Sequence, residues 1–473
     1  MNNWLVKYKH IFTPSERFKK IAFWSTLLLI VAILFVCFIY SDILITTKHS
    51  MNFWSGLYYG RPMNFYLINH NLVIDQYLNL FTMPSYDFPI FIIFAVWNFP
   101  LWIAQFVFHI QITDSLICLF WLKSILVVFL GLSVFVIKKI CVEVGIIKKN
   151  IPWLIFMFMS SPLLLISMFI MSQYDIIAIF FMLLGVLMFI KGNMKWFIIW
   201  FAIAIPLKMF ALFIFIPLVL LNNKKILQII RNLFLGLLPF AGVKLLSSFM
   251  PMYKESTSGF SIDMLSRLFA DVIGVNFGGV SLFSICLVAI AIFCYSKVLS
   301  DKDERSRYAI YVPFIVFASF FAFVQFHPYW IILIVPFLAI MIFQNMKRFK
   351  INILLDIALS VSFIFSTIII YPWCYGPFVV QRMLIPKLFG STYGTELGQH
   401  DILSILTRFD IPRYMPFLLA IFVVSLAALA IINFPKKSVE LQERHQIEWG
   451  LLFMRMLIIV PIPILMVYCY YAR

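Results

Sequence analysis

The sequence predicts an all-α membrane protein, a polytopic bundle of transmembrane helices with large outer loops. Of the 473 residues, 63% are hydrophobic and only 12% are charged, and the mean hydropathy is +1.00. Apolar runs of about 18 to 22 residues recur along the chain, each long enough to cross roughly 30 Å of bilayer hydrocarbon as a helix. Because little polar sequence separates these runs, a sizeable soluble domain is excluded.

The net charge of +17 is explained by membrane topology. Lys and Arg collect in the cytoplasmic loops of membrane proteins, so this charge does not predict nucleic acid as a partner. Basic clusters follow the N-terminus at residues 138–149, 191–195, 224–231, 302–307, 347–350 and 436–444. If all of them are cytoplasmic, the number of crossings between neighbouring clusters must be even.

The seven cysteines are scattered, mostly inside apolar runs. They form no CxxC motif and no Cys/His pairing at metal-ligand spacing. The sequence therefore predicts neither a zinc site nor a disulfide framework.

The first predicted span is Ala22 to Tyr40. It follows a basic, polar segment, residues 1–21, and lacks a small-residue cleavage site, so it is interpreted as a retained helix and not as a signal peptide. The basic segment places the N-terminus in the cytoplasm.

Two apolar runs follow before the next basic cluster: Pro89 to His109 and Ser115 to Val136. Because the number of crossings up to that cluster must be even and the first span already counts as one, only one of these two runs can span. The first run carries Pro89 and an Asn-Phe-Pro break at residues 98–100, which favours a re-entrant or interfacial pair of short helices. The second run is then the span. Residues 41–113 become one large outer loop.

The run from Trp196 to Leu221 is anomalous, because it begins and ends beside basic residues predicted to be inside. Pro206 and Lys208 at its middle predict a broken hairpin of two half-length helices that goes out and returns. The alternative is one long tilted helix with a basic outer loop.

The remaining runs bring the prediction to about eleven spans plus the hairpin. They are residues 153–171, 174–190, 233–250, 280–297, 308–325, 330–343, 353–371, 416–432 and 451–470. A second large outer loop covers residues 372–414. The prediction divides the chain into a catalytic module, 1–345, which includes loop 41–113, and a group of C-terminal helices, 346–473, which includes loop 372–414.

Costly polar residues fall on the predicted outer side, whereas the inner loops carry mostly plain Lys and Arg. The predicted outer set is Asp42, His49, Arg61, His70, Asp75, Asp87, Asp175, Lys208, Asp263, Arg267, His327, Arg382, Lys387, His400, Asp401 and Arg413. An acidic or imidazole group at the membrane edge costs a few kcal/mol unless it is paired or used. Their clustering on one face predicts a functional site there.

Asp42 follows the first span directly, where an aspartate is often a helix cap. The sequence after it mixes aromatic residues with Asn, Arg and His, as sugar-binding surfaces do. Four residues of this stretch are candidate substrate contacts: His49, Trp54, Arg61 and Asn64. For Trp54 an aromatic belt at the membrane interface is the alternative.

The other candidates also have structural alternatives. Asp175, in the turn Ser-Gln-Tyr-Asp, has the pattern of a helix N-cap. Lys208 at the tip of a hairpin would suit a phosphate, because an ammonium inside an apolar run must reach water or face a polar cavity. His327 and Tyr329, in Phe-His-Pro-Tyr-Trp, also fit a packing or belt position. Arg382 either grips a lipid phosphate or is solvated.

The order of these features resembles the GT-C superfamily of integral-membrane glycosyltransferases. The resemblance covers about residues 20–345 and includes the Pro-containing segment Tyr86 to Phe91. Residues 172–175 resemble the G-Q-Y-D stretch of bacterial polytopic mannosyltransferase-like members, with Ser172 in place of Gly. Residues 202–221 and 326–340 are similar to two further apolar motifs. Many members carry an adjacent acidic pair in the first loop, whereas Ile43 follows Asp42 here.

The resemblance implies inverting transfer of one sugar from a polyprenyl-phosphate-linked donor to an acceptor on the extracytoplasmic side. Asp42 would then be the general base. Lys208, His327 and Arg382 would supply positive charge to the leaving phosphate. Asp175 or Asp75 would orient the acceptor, or would help to hold a divalent ion, Mg or Mn, if one is used.

The expected partners are the lipid-linked donor, a glycan or lipid acceptor and membrane lipids, in the plasma membrane. Two other functions stay open from the sequence. A transporter or flippase for a lipid-linked sugar could use the broken hairpin and its Lys. A polysaccharide polymerase or ligase of another membrane fold would suit large outer loops with Arg and His.

Overall fold

The computed structural model describes residues 16–70, 72–75, 80–81, 83–270, 272–275, 278–391, 401–435 and 447–471. These residues form a helical bundle, which confirms the predicted all-α class and a multi-pass membrane protein. Seven helices in the described ranges are long and apolar enough to cross a membrane, and the number rises to nine if each of two bent pairs is one span.

The described part of the first half of the chain contains eleven α-helices. They are α1 (Glu16–Cys37), α2 (Ser41–Tyr58), α3 (Phe65–Asn69), α4 (Phe88–Trp97), α5 (Phe99–Phe108), α6 (Leu116–Glu143), α7 (Ile151–Met159), α8 (Pro162–Leu165), α9 (Ile176–Ile190), α10 (Met194–Leu207) and α11 (Ala211–Asn222). A π-helical turn, Ile166–Ile170, continues α8.

The second half is also helical. Its helices are α12 (Ile226–Ser248), α13 (Tyr253–Leu268), α14 (Leu282–Ser296), α15 (Lys302–Phe323), α16 (Val335–Gln344), α17 (Phe349–Ile370), α18 (Leu384–Phe389), α19 (Ile402–Arg408), α20 (Met415–Ile432), α21 (Trp449–Leu457) and α22 (Pro461–Tyr471). A 3-10 helix, Pro328–Ile334, leads into α16.

Two antiparallel strand pairs complete the described structure. The first pairs β1 (Val73–Asp75) with β2 (Leu80–Phe81). The second pairs β3 (Val272–Val275) with β4 (Gly278–Ser281). The first pair lies in the predicted outer loop 41–113.

The seven long helices coincide with predicted spans. The other four predicted spans correspond to shorter or bent elements: the pair α7 and α8, bent by 47°, the helices α9 and α14, and the segment Pro328–Gln344. The last three have 15 to 17 residues, below the roughly 20 that a straight crossing needs. The count of eleven therefore stays a prediction.

The segment 41–113, predicted as a loop, is largely helical. Its first part is α2, which buries Ile43, Leu44 and Met51. The predicted pair of short helices is confirmed as α4 and α5, which are bent by 67° at Asn98. Prolines occupy the first turns of both helices, where a missing backbone N–H costs nothing.

The broken hairpin is confirmed. Helix α10 ends at Leu207 and α11 begins at Ala211. The ring of Phe215 in α11 lies 5.3 Å from that of Phe201 in α10. In one continuous helix these residues would be about 21 Å apart along the axis. The two half-length helices therefore run back along each other, and the single long helix is excluded.

The turn between α9 and α10 brings the two ends of this antiparallel pair together. Gly192 adopts φ +73°, and a Cβ there would lie 2.6 Å from Arg305 Nη1, so both the conformation and the space favour glycine. Because α9 and α10 have similar lengths, Asp175, before α9, and Lys208, after α10, lie at the same end of the bundle.

Two lysines inside apolar helices have polar partners. Lys123 Nζ donates to the carbonyl oxygens of Leu34, Phe35, Phe38 and Phe169 at 2.5–3.1 Å, and so caps the end of α1. Lys244 Nζ lies 2.8 Å from Asp87 Oδ1.

Contacts cross the predicted boundary at residue 345. Ile39 N donates to Val379 O at 2.8 Å, and the ring of Tyr40 lies 5.7 Å from that of Trp373. The segment 372–414, predicted as the second outer loop, therefore packs against the junction of α1 and α2. The predicted division into two parts remains untested.

Candidate active site

One face of α2 lines a cavity of about 340 Å³ at the end of the bundle. Asp42, Ile45, Thr46 and His49 contribute to it, at the i, i+3, i+4 and i+7 spacing of residues that share a helix face. The remaining lining residues come from other elements: Met83, Ser85, Tyr86, Phe91, Tyr174 and Tyr329. A cavity with hydroxyl groups and aromatic rings suits a small polar ligand such as a sugar.

Asp42 is the acidic residue of this cavity. Its Oδ2 accepts a hydrogen bond from Gln173 Nε2 at 2.6 Å, and the Tyr329 hydroxyl acts on the carboxylate more weakly. Burial raises the pKa of the Asp42 carboxyl above its usual value, and the Gln173 bond and then the nearby Lys208 ammonium oppose this. A carboxylate with a raised pKa is a better proton acceptor near neutral pH.

Asp175 and Lys208 form a buried ion pair close to Asp42. Lys208 Nζ lies 2.6 Å from Asp175 Oδ1, and the two side chains are 8% and 0% exposed. The carboxylate of Asp175 makes no capping hydrogen bond to α9. The N-cap alternative for Asp175 is therefore not the arrangement that the structure adopts.

Aromatic rings surround the ammonium of Lys208. Its Nζ lies 5.1 Å from the ring centre of Tyr86, 5.8 Å from that of Phe210 and 5.9 Å from that of Trp330. Cation–π contacts of this kind stabilise a desolvated ammonium. The broken hairpin thus delivers one cation to the cavity region and holds it there.

The turn of residues 172–175 is strained and is tied to the start of α2. Ser172 has φ +48°, a left-handed conformation that costs a residue other than glycine of the order of 1–3 kcal/mol. Its Oγ accepts a hydrogen bond from Tyr40 N at 3.4 Å, and Thr46 Oγ1 donates to the Tyr174 hydroxyl at 2.9 Å. These bonds align the turn with the cavity face of α2.

The surroundings of His327 favour its neutral imidazole at pH 7, and its role as a source of positive charge for the leaving phosphate stays a prediction. Burial, followed by the nearby positive charges of Arg267 and Lys208, lowers the pKa of its imidazole to about 4. The ring stacks on Tyr329 at 5.4 Å and meets Trp330 edge to face at 4.9 Å. It therefore supports the cavity wall at Tyr329.

Trp54, Arg61 and Asn64 are not among the residues that line the cavity. Twelve residues after Asp42, Trp54 is rotated by about 120° around the α2 axis. Its Nε1 donates to Ala95 O at 2.8 Å, and its ring packs 4.8 Å from Phe99. Trp54 thus joins α2 to α4 and α5, and Arg61 is exposed in the turn that follows α2.

The two other candidates are less closely defined. Asp75 ends β1, where the structure describes the backbone alone. Arg382 is half-buried and close enough to Lys48 of α2 to act on it electrostatically. Burial and then the charge of Arg382 lower the pKa of the Lys48 ammonium, while Asp114 raises it.

Sequence reasoning missed Gln173, Thr46, Tyr86 and Tyr174 as site residues. Gln173 and Tyr174 lie in the turn that was singled out for Asp175, and Thr46 is one turn after Asp42. A search at helical spacing from Asp42 would have found Thr46. No local signal marks Tyr86, which reaches the site through the fold.

Within the described ranges, no three His, Cys, Asp or Glu side chains are grouped closely enough to hold a metal ion. At Asp175, the Lys208 ammonium already lies where a divalent cation would bind the carboxylate. The divalent ion that the sequence analysis allowed at Asp175 stays a prediction.

No known protein family, no curated protein and no solved structure matches this chain.

Proposed function

We propose that the chain is a membrane glycosyltransferase of the GT-C type, which transfers one sugar from a polyprenyl-phosphate-linked donor to an acceptor hydroxyl. The proposal includes the finer topology. The chain would cross the plasma membrane about eleven times, with the N-terminus in the cytoplasm and the site on the extracytoplasmic side. The acceptor is a cell-surface glycan or a glycolipid.

The observation that supports this proposal most is the half-buried carboxylate of Asp42 in a cavity of sugar-binding character. Asp42 is fixed by Gln173 at 2.6 Å, and aromatic rings and hydroxyl groups line the space around it. A carboxylate of raised pKa in such a cavity is costly to the fold and useful to proton transfer.

In the proposed reaction, Asp42 accepts the proton of the acceptor hydroxyl as its oxygen attacks the anomeric carbon. The new glycosidic bond forms while the bond between the anomeric carbon and the phosphate oxygen breaks, and the lipid phosphate leaves with that electron pair. Attack from the face opposite the leaving group inverts the anomeric centre.

The leaving phosphate needs positive charge more than it needs a general acid. Lys208 is already paired with Asp175, so its main contribution is to hold that carboxylate and to keep Asp42 ionised. Arg382 and Lys48 are two cations that repel each other at the junction of α2 with the segment 372–414. A bound phosphate would relieve this repulsion.

The proposal requires no step through a divalent ion. Lys208 supplies the positive charge at Asp175, and the acceptor proton goes to Asp42. Asp175 is thereby assigned the structural task of anchoring Lys208, while acceptor orientation is assigned to the cavity residues His49, Tyr86 and Tyr329.

Replacement of the base tests the proposal. Purified wild-type protein should form a glycosidic product from a polyprenyl-phosphate sugar, and Asp42→Asn should reduce the rate by about 100-fold or more, the usual contribution of a general base. Donor binding should persist, because the amide preserves the shape of the side chain. Asp87→Asn is the matched control, since Asp87 pairs with Lys244 and is not a lining residue of this cavity.

Retained transfer by Asp42→Asn would refute the assignment of the base. No transfer by the wild type with any polyprenyl-phosphate sugar would refute the function. A product extended by many sugars would instead indicate a polymerase.

The broken hairpin with a buried Lys208 at its tip favours a second candidate, a transporter or flippase for a lipid-linked sugar. Reconstituted vesicles separate the two functions. Movement of a fluorescent lipid-linked sugar between leaflets, without a new glycosidic bond and unaffected by Asp42→Asn, would support the flippase.

A further inference from the structure

We infer that Gln173 is a positioning residue of this cavity: its side-chain amide holds one oxygen of Asp42 and leaves the other to receive the acceptor proton. This inference rests on the proposed sugar transfer. It adds a role for a residue 131 positions away from the base in the sequence.

The contact is short, and its Gln173 end is fully buried, whereas Asp42 is half-buried. Gln173 Nε2 donates to Asp42 Oδ2 at 2.6 Å, and the Gln173 side chain has no solvent exposure. A carboxylate only accepts hydrogen bonds, so the NH₂ end of the amide must face it. This fixes the orientation of the amide as well as that of the carboxylate.

The other end of the amide has a cost. Gln173 Oε1 is buried and has no hydrogen-bond partner among the described residues. A buried acceptor without a partner costs about 1–3 kcal/mol, which an apolar side chain of similar size, such as Met, would avoid. Packing alone therefore does not account for an amide at this position.

The backbone directs Gln173 toward α2. The residue before it, Ser172, has φ +48°, and Gln173 N donates to Ser167 O at 2.9 Å. The hydrogen bond from Tyr40 N to Ser172 Oγ joins the same turn to the residues just before Asp42. A strained turn with these ties holds the amide in one place.

A fixed carboxylate benefits proton transfer in two ways. The bond to Gln173 removes rotation of the Asp42 carboxyl group, so the remaining oxygen keeps one direction. The bond also stabilises the charged form of Asp42, which is the form that accepts a proton.

Other titratable groups act on Asp42, and the test must allow for them. The groups that face it or share its cavity are Tyr40, His49, Tyr86, Tyr174, Asp175, Lys208, Tyr329 and Cys374. None of them is altered by substitution of Gln173.

The test is Gln173→Met, which keeps the length of the side chain and removes the donor. Loss of a hydrogen bond to a charged group should lower kcat by about tenfold or more, with the KM for the donor little changed. The acid limb of the pH–rate profile should move to higher pH, because the anion of Asp42 loses a stabilising bond. Gln344→Met, the same change in α16, is the matched control and should leave the kinetics unaltered.

A second measurement does not depend on activity. The infrared band of the protonated Asp42 carboxyl, assigned by its loss in Asp42→Asn, should titrate at higher pH in Gln173→Met than in the wild type. A merely structural tie between the turn and α2 would lower thermal stability without moving this midpoint.

The outcomes separate the two claims. A higher midpoint together with a lower kcat supports the inference. An unchanged midpoint and kcat in folded Gln173→Met overturns it. A higher midpoint in a protein whose wild type transfers no sugar supports the coupling of Gln173 to Asp42 and refutes the proposed function.

Discussion

Two ion pairs are buried among the residues that the structure describes, and they differ in what surrounds them. Arg455 of α21 pairs with Asp356 of α17, and both side chains are at most 1% exposed. Arg455 also donates to Met157 O at 2.8 Å and to Ser160 Oγ at 3.3 Å. The Arg455 pair therefore lies among backbone and hydroxyl partners at the break between α7 and α8.

The pair of Lys208 and Asp175 has fewer local bonds. Lys208 Nζ touches the carboxylate at 2.6 Å and otherwise faces aromatic rings. Its charge acts on Asp42, which lines the cavity. A buried charge by itself therefore does not mark a functional site. A buried charge that adjoins a cavity and a second carboxylate is the better indication of one.

The largest expected effect is on activity, at the pair of Lys208 and Asp175. Lys208→Met leaves Asp175 as a buried, unpaired carboxylate beside Asp42 and removes the cation that keeps Asp42 ionised. Sugar transfer per folded molecule should fall by about 100-fold or more. The double variant Asp175→Asn with Lys208→Met, which removes both charges, should recover stability but not full activity. Normal transfer by folded Lys208→Met would contradict this functional view of the pair.

The next effect is on stability, at the pair of Arg455 and Asp356. Arg455→Met leaves Asp356 buried without its partner, which should cost about 3–5 kcal/mol of the free energy of unfolding. The loss should appear as a lower thermal midpoint in detergent. Transfer by the molecules that remain folded should equal that of the wild type. A selective loss of transfer with unchanged stability would show that both pairs serve the reaction and would end the distinction.

The smallest effect concerns His327, which lies near Lys208. Because its pKa is lowered to about 4 from an ordinary 6.5, the folded state resists protonation, and stability is lost as pH falls from about 6.5 toward 4. His327→Gln should flatten this decline in the thermal midpoint. The groups that face the imidazole, Arg267, Lys208, Asp263, Tyr329, Trp330 and Tyr371, stay in place.

Above pH 6, the shape of the pH–rate profile of His327→Gln should match that of the wild type, since the imidazole is already neutral there. A lost rate limb between pH 6 and 8 would instead make His327 a titrating catalytic group.

Much of the architecture could be predicted from local signals. Prolines and one Asn marked the break between α4 and α5, and a Pro and a Lys inside an apolar run marked the hairpin of α10 and α11. Breaks of this kind follow from the missing N–H of proline and from the cost of a cation in hydrocarbon, both of which are properties of single residues.

The helical nature of residues 41–58 was not predicted, because polar residues mask the periodic apolar stripe of α2. Trp54 shows the same limit in another form. The aromatic and polar residues around Trp54 in the sequence favoured a sugar contact. A rotation of about 120° around the helix axis instead turns its side chain toward Ala95 and Phe99.

The sequence by itself determined that the chain is a multi-pass helical membrane protein, and it marked the positions of two helix breaks. The tertiary structure alone decided which side chains meet at the cavity. Gln173 reaches Asp42, and Lys208 reaches Asp175, because helix rotation and packing set the direction of each side chain. Those directions depend on contacts between distant segments, whereas hydropathy and proline act within one segment.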